Sequence, residues 1–94
     1  MVAVAPPAFV IDTQRAQPAM ELVGLSAQNL DLEAPQKTIM SLLKKHNIPA
    51  CDLTSALRAA NQSTPVYFTF DGHWTIAGHQ AVAQQINTCL KDIK

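Results

Sequence analysis

The chain reads as an α/β protein built on a parallel sheet. Three observations predict this. Val2-Ala3-Val4-Ala5 is apolar throughout, as a strand covered on both faces is, and Pro6-Pro7 stops it. An amphipathic helical pattern and a second short apolar run, residues 48–53, follow; strand–helix–strand order implies a right-handed parallel crossover. A long helical pattern then closes the chain.

Composition bounds the function. Ninety-four residues suggest one domain with a modest core. Apolar residues make up 48%, enough for a packed globule. Seven basic and seven acidic residues cancel and no basic cluster stands out, so no nucleic-acid or anionic-membrane partner is expected. No apolar run approaches the length of a membrane span. Residues 1–5 have no positively charged leader, so no signal peptide is read and the compartment is unknown from sequence. Cys51 and Cys89 form no CxxC pair and are expected to be two small buried residues. A disulfide would require an oxidising compartment, which the sequence does not establish.

The elements follow in order. Residues 2–5 form a strand that starts almost at residue 1. A central parallel strand needs neighbours on both sides, which suggests that a segment N-terminal to it is missing. Residues 8–35 are the least regular: Phe9-Val10-Ile11 extends or packs over the sheet end, residues 19–23 make a helical turn, and residues 29–35 read as loop before helix. A connection of this length suits an active-site rim or a packing segment. Pro35 or Gln36 opens a helix that runs to about Lys45, with Ile39, Leu42 and Leu43 on one face. Lys44, Lys45 and His46 suit its C-terminal dipole, and Asn47 its left-handed cap. Residues 48–53 form the second strand. Thr54 caps a short helix, residues 55–60, with Leu57 inward, and residues 66–70 run extended into an Asp-Gly turn. Thr75 caps the last helix, residues 76–91. Its face is Gly78, Ala81, Val82, Gln85, Ile86, Cys89 and Leu90, and the bare Gly78 allows close approach to a neighbour.

Residues 67–79, Tyr-Phe-Thr-Phe-Asp-Gly-His-Trp-Thr-Ile-Ala-Gly-His, carry the most chemistry. Asp71 and His73 share the loop before the last helix. A carboxylate that accepts from one imidazole nitrogen sets the tautomer and leaves the other nitrogen as a base. By spacing alone, the favoured reading is that Asp71 is a turn residue and His73 a helix-entry residue. Asp71, His73 and His79 lack zinc-ligand spacing, so no metal or other cofactor is expected. Cys51 in a strand and Cys89 on an apolar helix face read as inert rather than as nucleophiles.

The block Asp71-Gly72-His73-Trp74-Thr75-Ile76-Ala77-Gly78-His79, with Val82-Ala83, resembles the C-terminal block of SGNH (GDSL-like) hydrolases. It is closest in pattern to the Asp-x-His-Trp branch that includes alginate O-acetylation proteins. Pro6-Pro7, residues 30–35 and residues 48–57 are similar too, so the resemblance covers nearly the whole chain. It implies part of a three-layer α/β/α sandwich of flavodoxin-like order, with residues 1–94 its C-terminal portion. It makes His73 the general base and Asp71 its orienting acid, and leaves His79 structural. Many members space the pair as Asp-x-x-His; here it is Asp-x-His.

The family's Gly-Asp-Ser nucleophile block and its oxyanion glycine and asparagine are absent from these residues. Gly24-Leu25-Ser26 is not that block, and Ser41, Ser55 and Ser63 fall in helices or a turn. The implied function is therefore the Asp–His part of a serine esterase or O-acyltransferase, whose complete form takes an ester or acylated carbohydrate. The alternatives are a non-catalytic binding or assembly module on the same scaffold and a small metal-binding domain. Without strands beside residues 2–5, an open sheet edge is expected to drive self-association.

Overall fold

The computed structural model describes residues 1–24 and 31–93. Asn29, Leu30 and the Leu25-Ser26 pair, which entered the reading of residues 8–35, lie outside the described residues. Strand β1, Val2–Val4, and strand β2, Ala50–Asp52, pair in parallel, with Ala3 opposite Cys51. The bonds Val2 N–H to Pro49 O (2.9 Å) and Leu53 N–H to Val4 O (3.0 Å) extend the ladder at each end. The fold is thus α/β with a two-stranded parallel sheet.

β1 differs from expectation. It is not covered on both faces: Val2 and Ala3 are exposed and only Val4 is buried. The physical reason is its edge position, since among the described residues β2 is its sole strand partner.

The connection after β1 is more helical than its sequence suggests. Helix α1, Ala8–Ile11, buries Val10 and Ile11. A 3₁₀ turn, Thr13–Ala16, starts where the Asp12 carboxylate accepts the Gln14 N–H, and helix α2, Gln17–Leu22, follows. Asp12 competes well for a free backbone donor, so the segment turns instead of extending.

Helix α3, Ala34–Lys45, starts one residue before expectation, with Pro35 in its first turn, where the missing N–H costs nothing. Asn47 takes the expected left-handed φ of 58°. The apolar face is a correction: α3 packs on both strands, yet Ile39 and Leu42 are exposed and Leu43 is half-buried. Two short strands cannot cover a three-turn helix. Helix α4, Thr54–Asn61, is capped by the Asp52 carboxylate, which accepts the Thr54 N–H at 2.9 Å. Thr54 itself sits inside the first turn, and its buried hydroxyl has no partner among the described residues. Leu57 is fully buried, as expected.

Helix α5, Ile76–Asp92, is the longest element and packs against α4 and β2. Its predicted cap holds: the Thr75 hydroxyl accepts the Gly78 N–H at 3.2 Å and donates to Pro65 O at 2.6 Å. The core that α5 helps close gathers Ile11, Cys51, Leu53, Leu57, Val66, Tyr67 and Val82. Residues 66–70 do not form a strand. They make one antiparallel bridge, Tyr67 to Trp74, because the chain folds straight back into α5.

The cysteine reading is also corrected. Cys51 and Cys89 are joined in a disulfide that ties β2 to the end of α5, with Cα atoms 5.9 Å apart. The two positions are remote in sequence, and only the packing of α5 against β2 brings them together. Closing a loop with a sequence separation of 38 removes unfolded-state entropy worth about 4 kcal/mol in the chain-entropy picture.

Gly78 is a site of enforced contact. A Cβ there would lie 2.3 Å from the Val66 carbonyl oxygen and 2.9 Å from Trp74 Cβ. Gly78→Ala is therefore expected to destabilise the chain by roughly 1–3 kcal/mol, despite the better helix propensity of alanine. Urea unfolding of the two proteins checks this; equal midpoints would contradict the close approach.

Candidate functional site

Residues 66–75 fold as a tight hairpin leading into α5. Thr75 N–H donates to Val66 O at 2.9 Å and Phe68 N–H to His73 O at 3.1 Å. Between these limbs lies a tip of Thr69, Phe70, Asp71 and Gly72. The Asp-Gly pair suggested a glycine-dependent turn, but Gly72 does not have a positive φ and a Cβ there would meet nothing within 4 Å. Asp71 shapes the turn instead: its Oδ1 accepts the backbone N–H of His73 at 2.8 Å, the local bond that makes aspartate a turn residue.

The same Oδ1 contacts His73 Nδ1. The two sequence-predicted residues are therefore brought together, and Nδ1 is the imidazole nitrogen engaged. Nε2 is left for another partner, on a side chain that is 87% exposed. The His73 backbone N–H, and then its imidazole, hold the Asp71 carboxyl below the usual carboxylate range.

His73 lines a cleft of about 390 Å³ with Ala5, Pro6, Tyr67, Gly72, Trp74 and His79. Ala5 and Pro6 immediately follow β1, so the cleft opens at the carboxyl end of that strand, where ligands of open parallel sheets usually bind. Trp74 and His79 pack edge-to-face with ring centres 5.5 Å apart. His79 thus shares the cleft with His73. Among the described residues, no group of three His, Cys, Asp or Glu side chains is placed to hold a metal ion.

Tyr67 was not singled out in the sequence. Its phenol is buried, donates to Pro6 O, and is pushed up in pKa mainly by that burial. Arg15 Nη2 donates to the Tyr67 carbonyl at 3.3 Å. Tyr67 therefore ties the base of the hairpin to the end of β1. Its signal was available: the chain has one tyrosine, inside an apolar run, and a buried hydroxyl requires a partner. Among the described residues, no serine, threonine or cysteine lines the cleft. Beside it, Phe68, Thr69, Phe70 and Asp71 line a second hollow of about 530 Å³, with the Phe70 ring fully exposed.

A family model described as the SGNH hydrolase-like domain of the acetyltransferase AlgX matches residues 2–93. No curated protein and no solved structure matches the chain.

The lowered carboxyl makes a pH prediction. A folded-state value below the unfolded one means that charged Asp71 favours folding. That contribution is present above the ordinary carboxylate value of about 4 and disappears as pH falls through the lower folded value. Carbon-13 NMR should show Asp71 titrating below the ordinary range, and His73→Ala should move it upward. An unchanged midpoint in the variant would contradict the pairing.

Proposed function

Because this chain belongs to the SGNH hydrolase-like family of the acetyltransferase AlgX, we propose that it supplies the Asp–His part of an acyl-transfer site. The observation that carries the reading is the single Asp71 Oδ1 engaged by both the backbone N–H and Nδ1 of His73. That arrangement suits a general base held in one tautomer. Nε2 would take the proton of a serine hydroxyl as the oxygen attacks an ester carbonyl, and would then return it to the leaving alkoxide. Asp71 would stabilise the imidazolium formed between those steps.

The nucleophile is assigned to residues outside this chain. Among the described residues, the one hydroxyl lining the cleft belongs to Tyr67, which is already engaged with Pro6 O and whose raised pKa disfavours the phenolate. A serine and its oxyanion donors would complete the cleft, and residues 1–94 would be one portion of the whole hydrolase-like domain. The family points to an acylated carbohydrate or similar ester as substrate. Ester hydrolysis and O-acyl transfer share this machinery and differ in the acceptor of the acyl group.

A second reading, an assembly module, is favoured by β1, which pairs only with β2 among the described residues and leaves Val2 and Ala3 exposed. Unpaired edges recruit further strands. On this reading two copies join through β1.

Turnover of p-nitrophenyl acetate tests the first reading. The chain alone should match its His73→Ala variant. Addition of a segment carrying the Gly-Asp-Ser block should give activity that His73→Ala lowers roughly 10⁴-fold or more. Activity of the complemented protein that survives His73→Ala would refute the assignment. For the second reading, sedimentation velocity should show a dimer that Val2→Lys dissociates, because a charge on an edge strand opposes pairing. A monomer at all concentrations would refute it.

A further inference from the structure

We propose that the hollow at the hairpin tip is a carbohydrate subsite, in which one pyranose ring of the acylated substrate lies on the Phe70 ring. The inference deepens the acyl-transfer reading, and its choice of ligand rests on that reading. Turn tips are ordinarily built from glycine, asparagine, aspartate or serine. This tip carries a phenylalanine whose ring is fully exposed, and Phe68 on the same limb is about half exposed. The hydrophobic core takes in Tyr67 from this limb and neither phenylalanine. Phe68, Thr69, Phe70 and Asp71 line the hollow of about 530 Å³. Four consecutive residues form an open shelf rather than an enclosed pocket, a shape that takes a ring within a polymer from the side. Phe68 also borders an adjoining hollow with Pro65 and Ile76, so the apolar surface continues past the shelf.

The lining matches the two kinds of surface on a sugar. One face of a pyranose presents C–H groups, which pack on the negative face of an aromatic ring. Its hydroxyls need hydrogen-bond partners, and the Thr69 hydroxyl and Asp71 carboxylate lie beside the two phenyl rings. Asp71 also distinguishes among occupants. Its carboxyl is held below the usual carboxylate range, first by the His73 backbone N–H, so it is charged near neutral pH. A dry protein or lipid surface seated on Phe70 would strip water from that charge, which is costly. A polyhydroxylated ring replaces the water instead. Asp71 Oδ1 is engaged by His73, and a sugar hydroxyl would donate to Oδ2. Because Asp71 both borders the hollow and holds His73, a ring on Phe70 lies next to the general base.

The experiment titrates the full chain, with carbon-13-labelled phenylalanine, against chitohexaose and reads the aromatic NMR spectrum. That probe has pyranose rings carrying acetyl groups in amide linkage, so it is bound without being turned over. The Phe70 ring signals should move most, with a Kd on the order of 1 mM. Phe70→Ala should weaken binding roughly tenfold or more, and Phe70→Trp, with a larger ring face, should bind at least as tightly as the parent. Thermal unfolding should be the same for all three, because the ring is fully exposed. Unmoved Phe70 signals would overturn the proposal, as would a Phe70→Leu variant that binds as tightly as the parent, since apolar bulk alone would then suffice. A dimer in sedimentation velocity that Phe70→Asp dissociates would give the surface to a second copy and overturn it too. The titration involves no ester turnover. Sugar binding without His73-dependent turnover would count against the acyl-transfer assignment alone, and the converse against the subsite alone.

Discussion

The seating of Gly78 on the Val66 carbonyl sets the position of everything that could carry chemistry. With no side chain at 78, the first turn of α5 lies against the backbone that begins the hairpin. That proximity lets Thr75 bond to Pro65 on one side and to Gly78 on the other. Those bonds hold the two limbs of residues 66–75 together, and the bridge between Tyr67 and Trp74 keeps them in register. Tyr67 then anchors the hairpin to Pro6, at the end of β1. A displacement of α5 would pass through this series of contacts to the cleft wall.

The Asp71–His73 contact contrasts with that framework. It is local, two residues apart, and forms within the hairpin tip, with the imidazole well exposed to solvent. An exposed pair of this kind is weakly stabilising because water competes for both partners. Its chemical worth lies in what faces Nε2. Phe68, Phe70 and Ile76 are exposed around the tip, an apolar grouping left uncovered among the described residues.

The sheet is too narrow to organise the molecule unaided. Two three-residue strands cover little of α3, and its Ile39 and Leu42 remain exposed. The opposite situation holds around β2, where Cys51 and Leu53 are almost wholly buried and the disulfide joins the strand to α5. Cohesion is therefore concentrated between β2, α4, α5 and the hairpin. The short helical pieces after β1 reach it through Ile11, and through Arg58, which donates to Val10 O at 3.3 Å.

Sequence determined the local features. The caps at Thr75 and Asn47, the helices expected from about residues 35, 55 and 76, the parallel α/β order and the approach at Gly78 all follow from backbone donors, side-chain reach and periodicity over a few residues. The meeting of Asp71 and His73 belongs with these, because two residues of chain suffice to join them. The family belongs here as well, since its model matches residues 2–93. Tertiary structure decided what depends on distant partners. It joined Cys51 to Cys89, gave the capping of α4 to Asp52, left β1 and the α3 face uncovered, and reduced residues 66–70 to a single bridge. It also brought Tyr67, His79, Ala5 and Pro6 around His73. Periodicity reports which face of an element is apolar, but only the folded chain decides whether another surface arrives to cover it.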